Sequence, residues 1–303
     1  MHWPPGRGTL PLHVIVRPLA CTLLLLLAVP AARAADDGLD PASTTTGGDT
    51  RVTAGTTTAC APPRSNERME FTLSYLGLTI GKARLFSGKV DETTTPIFLQ
   101  AQTASIASIF TLKQQLSSYV DTATGLPRSA QLDALEGSYR HTDTTRYDRD
   151  RGTATVREVG NRDEVRTFGI PPGTLDFVSL VYRLRHLPLA PGTKYLFHVL
   201  AGRILSTAEV EVVGREELST GIGKVQTFKV RVPTAFAGKF AEKHPSFVWI
   251  TDDPRRIVAR ITTDFAIGHA TASLDSYTPG EAPVAPAMEA AVDTPRKNPA
   301  STP

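Results

Sequence analysis

Cysteine is nearly absent from this chain, with two among 303 residues. Cys21 falls in an N-terminal leader, so Cys60 stands alone and an intramolecular disulfide is excluded in the processed protein. An exported domain without that cross-link depends on its hydrophobic core. Cys60 sits among Thr and Pro residues, where a free thiol, an intermolecular bridge and an incidental linker position all stay open. Catalytic signatures are missing too. The sequence has no HExxH, no GxSxG elbow and no nucleophile context around Cys60. Gly221-Ile222-Gly223-Lys224 lacks the full phosphate-loop spacing and reads as a hairpin turn. His141, His186, His198, His244 and His269 form no close pair at metal-ligand spacing. A zinc site would need ligands converging from distant strands, so neither a metal nor a cofactor is expected.

An excess of one charge is lacking as well. The formal net charge is +3, but Arg7, Arg17 and Arg33 all precede the expected cleavage point, and no acidic residue does. The processed chain is therefore close to neutral. A nucleic-acid binder would carry a basic face, and no nucleic-acid partner is expected. Only one pronounced apolar run occurs, at residues 19–29, about half the roughly 20 residues that span a bilayer. Basic residues precede it, Pro30 breaks it, and Ala32-Arg33-Ala34 follows as a small-x-small site. Residues 1–34 thus read as a secretory signal peptide, with an uncleaved anchor as the alternative. The expected location is the periplasm or cell envelope, with no transmembrane segment after cleavage.

What is present is a chain of short alternating segments between two low-complexity ends. Residues 35–66 are rich in Thr, Ala and Pro, and residues 279–303 are rich in Pro and Ala. Neither can bury enough surface to offset ordering entropy, so both are expected to be disordered. Residues 67–278 form a single domain. Its length, about 210 residues, is enough to bury about 70% of the unfolded surface. Met69, Phe71, Leu73 and Tyr75 alternate with Glu70, Thr72 and Ser74, the period of a half-buried strand. Gly77 and Gly81 flank the reversal of an opening hairpin. Similar segments recur to Tyr277, separated by turn residues such as Gly125, Pro127, Gly152 and Gly202. One helix is predicted over about 174–186. Thr174 can cap it, Asp176 favours its first turn, and Phe177, Val178, Leu180, Val181 and Leu184 form an apolar stripe. Arg183, Arg185 and His186 complement the dipole in the last turn. The expected fold is mainly β: a curved antiparallel sheet, open barrel or sandwich of about a dozen strands, covered by one short amphipathic helix.

Several landmarks recur in a fixed order. They are Tyr75-Leu76-Gly77 with Gly81, Ser118-Tyr119-Val120-Asp121 with Gly125-Leu126-Pro127-Arg128, and Pro172-Gly173-Thr174-Leu175-Asp176. Then come Tyr182-Arg183-Leu184-Arg185, Leu187-Pro188-Leu189 with Pro191-Gly192, and Val213-Gly214-Arg215-Glu216-Glu217. Trp249-Ile250-Thr251-Asp252-Asp253, Arg256 and Ile267-Gly268 close the series. In that order the chain resembles the bacterial exported family of domain of unknown function 3108. The resemblance implies an envelope-associated antiparallel β protein, and it implies no reaction.

Two groups of residues are candidates for function. Asp252-Asp253-Pro254-Arg255-Arg256 is the most charged constellation, readable as a cation or acid/base pair. The preferred reading is turn chemistry, with Asp252, Asp253 and Arg256 shaping a hairpin. A hydrolase built on Asp252, Asp253 or His198 remains a minor alternative. The second group is the apolar face, where Phe71, Tyr75, Phe197 and Trp249 are candidate contacts for a lipid or other apolar ligand. The same face could instead enclose only side chains, as in a structural or assembly factor with a protein or polymer partner. The expected protein is non-enzymatic.

Overall fold

Alternation of apolar and polar residues assigns each strand an inner and an outer face, and the inner faces need a common cover. In the computed structural model the described residues are 51–53 and 64–281, apart from the connections 104–111, 137–138, 160–162, 233–245 and 265–268. The leader, Cys60, most of the 35–66 linker, the loop around Phe236 and nearly all of the Pro-rich tail lie outside the described residues. The chain runs through β1 (Arg51–Thr53), β2 (Arg68–Tyr75), β3 (Leu78–Ser87), β4 (Thr94–Thr103), β5 (Leu112–Asp121), β6 (Pro127–Glu136), β7 (Tyr139–Asp148), β8 (Thr153–Val159) and β9 (Glu164–Gly169). Helix α1 (Phe177–Arg185) follows. The rest is β10 (Lys194–Ala201), β11 (Ile204–Thr220), β12 (Gly223–Val232), β13 (Ser246–Thr251), β14 (Val258–Asp264) and β15 (His269–Thr278).

Fourteen strands, β2 to β15, pair antiparallel in one sheet, and β1 adds to it in parallel. Two meanders, β2–β9 and β10–β15, join where β15 pairs β2. The sequence neighbours β9 and β10 therefore lie toward opposite ends of the sheet, with α1 between them in the chain. Among the described residues backbone hydrogen bonds do not close the ring, but side chains draw its ends together. Leu200 and Leu205 of β10–β11 pack with Tyr147, Val156 and Phe168 of β7–β9. Arg203 pairs with Glu158 and with Glu164, the latter at 2.6 Å. The open edge of β10 is covered by β1 and by Leu175, which donates to the His198 carbonyl at 2.8 Å and accepts from the Leu200 N–H at 2.8 Å. Covering a strand edge removes a template for unwanted pairing.

Several local details sharpen the sequence reading. Leu76 (φ 51°) and Gly77 (φ 80°) together make the two-residue turn of the opening hairpin. Gly81 is no part of that turn. It lies inside β3, where an added Cβ would fall 2.2 Å from the Gln102 carbonyl. Strand β11 is one element of 17 residues with an irregularity between Val212 and Gly214, where sequence alone marked only its first half. The helix cap is Asp176, not Thr174. Asp176 accepts from the Ser179 N–H at 2.7 Å while the Ser179 hydroxyl accepts from the Asp176 N–H at 2.9 Å, a capping box. The other Asp176 oxygen accepts from the Ser118 hydroxyl of β5 at 2.5 Å. Burial nevertheless raises the pKa of Asp176, because those bonds offset only part of the lost hydration.

Helix α1 buries Val178, Leu180, Val181, Tyr182 and Leu184 against both meanders, forming one core with Phe71, Leu85, Leu99, Phe197, Phe228 and Ile250. Its last residue turns inward. Arg185 makes two 2.7 Å bonds to the two carboxylate oxygens of Glu67, and both side chains are under 5% exposed. Breaking such a pair leaves an uncompensated buried charge. Arg185→Met is expected to lower stability by about 3–5 kcal/mol, read as a fall in the urea midpoint. Combining it with Glu67→Leu should recover part of that loss, and strictly additive losses would contradict the pairing.

Candidate functional site

Beneath α1 the inner face is closely packed. Between α1 and strands β2–β4, β14 and β15 a crevice of about 40 Å³ remains, lined by Phe71, Leu73, Ala83, Phe177, Val181 and Ile261 among others. Of the four residues singled out for an apolar ligand, Phe71 lines this crevice. Phe197 stacks on Tyr195, ring centroids 6.4 Å apart, and is buried in the core. Tyr75 ends β2, half-buried opposite Ala270. Trp249 does not share their face. In β13, Val248 and Ile250 join the main core, while Trp249 packs in a separate cluster with Leu218, Ala259, Val225 and Phe247. The Lys229 ammonium lies 5.2 Å from its ring, and its indole N–H donates to Glu216 at 3.1 Å. Ser246-Phe247-Val248-Trp249-Ile250 is apolar at both parities, so period alone does not say which side faces inward.

The acidic turn between β13 and β14 is built as a turn. Asp253 accepts from the Arg255 N–H at 2.8 Å and from its guanidinium at 2.8 Å. Burial alone would raise the Asp253 pKa, but those bonds and the Arg255 charge hold it below the ordinary value. Asp252 pairs with Arg215 of β11 at 3.2 Å, so its counter-charge comes from outside the turn. Arg256 takes φ 49°, and its N–H closes the turn onto the Asp253 carbonyl at 3.1 Å. Its guanidinium lies 5.1 Å from the Phe228 ring centroid. His198 is elsewhere. It pairs with Thr207 in the first half of β11, whereas Asp252 bonds Gln226, which pairs with Glu217 in the second half. Ten residues of strand separate Thr207 from Glu217, on the order of 30 Å. Among the described residues no group of three His, Cys, Asp or Glu side chains is placed to hold a metal ion.

The large concavity is on the outer face. A trough of about 880 Å³ runs across β2–β7 between two rows of outward side chains. One row is Glu70, Arg84, Gln100, Gln115, Asp133 and Thr142, consecutive partners in the strand register. The second is Lys82, Gln102, Lys113, Leu135 and Arg140, paired in the same way. Between the rows lies the backbone of Ala83, Ala101, Gln114 and Ala134. Lys82 bonds Asp275 at 2.8 Å, and Gln100 donates to Gln115 at 2.6 Å. Arg84, Lys113 and Arg140 make no ion pair among the described residues. Sequence reasoning missed this site because a polar outward residue is expected on any strand. The only available signal was the recurrence of long polar residues at positions that the hairpin registers later align.

A family profile described as "Protein of unknown function (DUF3108)" matches residues 70–275. The chain belongs to this family. That membership accords with the resemblance carried by the ordered landmarks in the sequence. No curated protein matches the chain by sequence. Among solved structures, a beta-barrel-like protein of domain of unknown function DUF1849 from Brucella abortus superposes with a TM-score of 0.55 at 12% identity. The match covers 73% of this chain and 100% of that one. A Bacteroides fragilis protein, assigned by its description to exported proteins with a YmcC-like fold, covers 73% of this chain and 99% of its own. It matches at a TM-score of 0.29 and 10% identity. The DUF1849 likeness supports the barrel-like architecture of this DUF3108 chain and nothing about its chemistry.

At the C-cap of α1, His186 packs beside the arginine-rich turn. Burial, the guanidinium groups of Arg185, Arg183 and Arg256 together lower its pKa from 6.5 to about 4. It is therefore neutral at pH 7 and adds no charge to the helix dipole, contrary to the sequence expectation. Between pH 6.5 and 4 the unfolded chain binds a proton that the folded protein refuses, so stability falls as pH drops through that window. The loss is expected to reach about 2–3 kcal/mol. Urea midpoints measured against pH should diverge between the parent and His186→Gln. Parallel curves would remove His186 as the cause.

Proposed function

We propose that the protein is an exported, non-enzymatic component of the cell envelope that holds a partner on the outer face of its sheet. The carrying observation is the contrast of spaces: about 40 Å³ beneath α1 against about 880 Å³ in the trough. Export rests on the leader-like residues 1–34. The non-enzymatic reading is supported by the separation of His198 from Asp252 and by the engagement of both aspartates in structural ion pairs.

A second reading keeps the interior in play. The crevice under α1 is lined almost wholly by apolar side chains, including Phe71. An acyl chain would enter there only if α1 lifted from β2–β4.

Two measurements separate the readings. Amine acetylation in intact cells should label Lys82 and Lys113 less than in the purified protein, while Lys224, outside the trough on the β11–β12 hairpin, is labelled equally in both. Equal labelling of all three would overturn the outer-face reading. Native mass spectrometry of protein from its own host is expected to give the bare polypeptide mass, and a stoichiometric apolar adduct would favour the interior.

A further inference from the structure

The trough has the chemistry of one class of partner. It is six strands wide, about 24 Å at the usual inter-strand spacing. The strands beneath it pair with neighbours on both sides, so an extended peptide has no free edge to add to there and could bind only through side chains. Among the described residues its aromatic side chains are Phe71, 2% exposed, and His141, 9% exposed, both buried. Among those residues the trough offers no exposed stacking platform for the bases of a single-stranded nucleic acid. It also offers none of the aromatic anchors that dominate protein interfaces.

What it offers instead is hydrogen bonding and sparse positive charge. Gln100, Gln102 and Gln115 present amides, each with donors and acceptors. Glu70 and Asp133 are acceptors from hydroxyl groups. Arg84, Lys113 and Arg140 are cations that make no ion pair among the described residues. In the second row, positive side chains recur on alternate strands, Lys82 on β3, Lys113 on β5 and Arg140 on β7. Their spacing is two strand separations, about 10 Å, which is comparable to two sugar units of an extended glycan, so a polyuronate would place every second carboxylate at a cation. A densely charged polyanion fits less well, because Glu70, Asp133 and Asp275 lie among the cations. The complementary polymer has many hydroxyls and a negative group at intervals.

Building on the outer-face reading above, we propose that the trough across β2–β7 binds an acidic polysaccharide, its hydroxyls met by the Gln and carboxylate side chains and its anionic groups by Arg84, Lys113 and Arg140. The test is affinity electrophoresis of the processed protein through gels containing polygalacturonate, dextran or inorganic polyphosphate. Retardation is expected with polygalacturonate, at least tenfold weaker binding with uncharged dextran, and weaker binding with polyphosphate, which has charge but no hydroxyl lattice. Lys113→Glu with Arg140→Glu should weaken polygalacturonate binding tenfold or more. Lys224→Glu should leave it unchanged, with both variants melting as the parent does. No retardation by polygalacturonate, equal retardation by dextran, stronger binding to polyphosphate, or indifference to the double charge reversal would each overturn the glycan assignment. If Lys82 and Lys113 were still protected in cells, that result would point to a protein partner on the same face. Loss of the protection as well would remove the outer-face reading itself.

Discussion

The buried contact between Arg185 and Glu67 is the constraint on which the rest of the architecture depends. Arg185 closes α1, Glu67 immediately precedes β2, and the two are 118 residues apart in sequence. The same guanidinium donates to the Arg256 carbonyl at 2.7 Å and to the Arg255 carbonyl at 3.2 Å, gripping the turn between β13 and β14. Tyr277, near the end of β15, donates to Glu67 at 3.0 Å. One ion pair thus fixes the helix to the start of β2, a late hairpin and the last strand at once. Its burial carries a desolvation cost, and that cost is offset only while all these partners stay in place. Because α1 is also the passage between β9 and β10, anchoring it sets how far the sheet curls.

The N-terminal end of the helix is held by different means. Asp176 serves as cap and as acceptor from Ser118 of β5, so the first meander grips the start of α1 while the β2 and β13–β15 side grips its end. A helix fixed at both ends fills the inner face and leaves little space there. The outer face has no such cover. Its chemistry follows from which outward residues the register brings side by side.

Much of this was legible in the sequence. Strict alternation at Met69, Phe71, Leu73 and Tyr75 marks β2, and the apolar stripe at Val178, Val181 and Leu184 marks α1, because each period is a local property of the chain. Family membership was legible from ordered landmarks such as Trp249-Ile250-Thr251-Asp252-Asp253. The pairing of β15 with β2 was not, since no local signal encodes which distant edge a strand meets. Nor was the partner of Arg185 legible: a basic residue at a helix end usually faces solvent, and only the fold supplies Glu67. Trp249 illustrates a third limit, for where both parities are apolar a period of two loses its meaning. The trough illustrates a fourth. Lys82, Lys113 and Arg140 are unremarkable singly, and their alignment exists only through four successive hairpin registers.

The pairing of β2 with β15 has a mechanical consequence. Ser65 and Glu281 exchange backbone hydrogen bonds of 3.0 and 2.8 Å, and just inside them Arg68 of β2 faces Thr278 of β15. β2 therefore begins where β15 ends, the two running antiparallel. Tension applied between Ser65 and Glu281 themselves would peel β2 from β15 rung by rung, loading one pair of bonds at a time instead of shearing the whole ladder. Along that line the domain is soft to pulling, however firmly its core is packed. The first bonds to part are next to Glu67, so a force applied at those two residues is delivered directly to the ion pair that positions the helix.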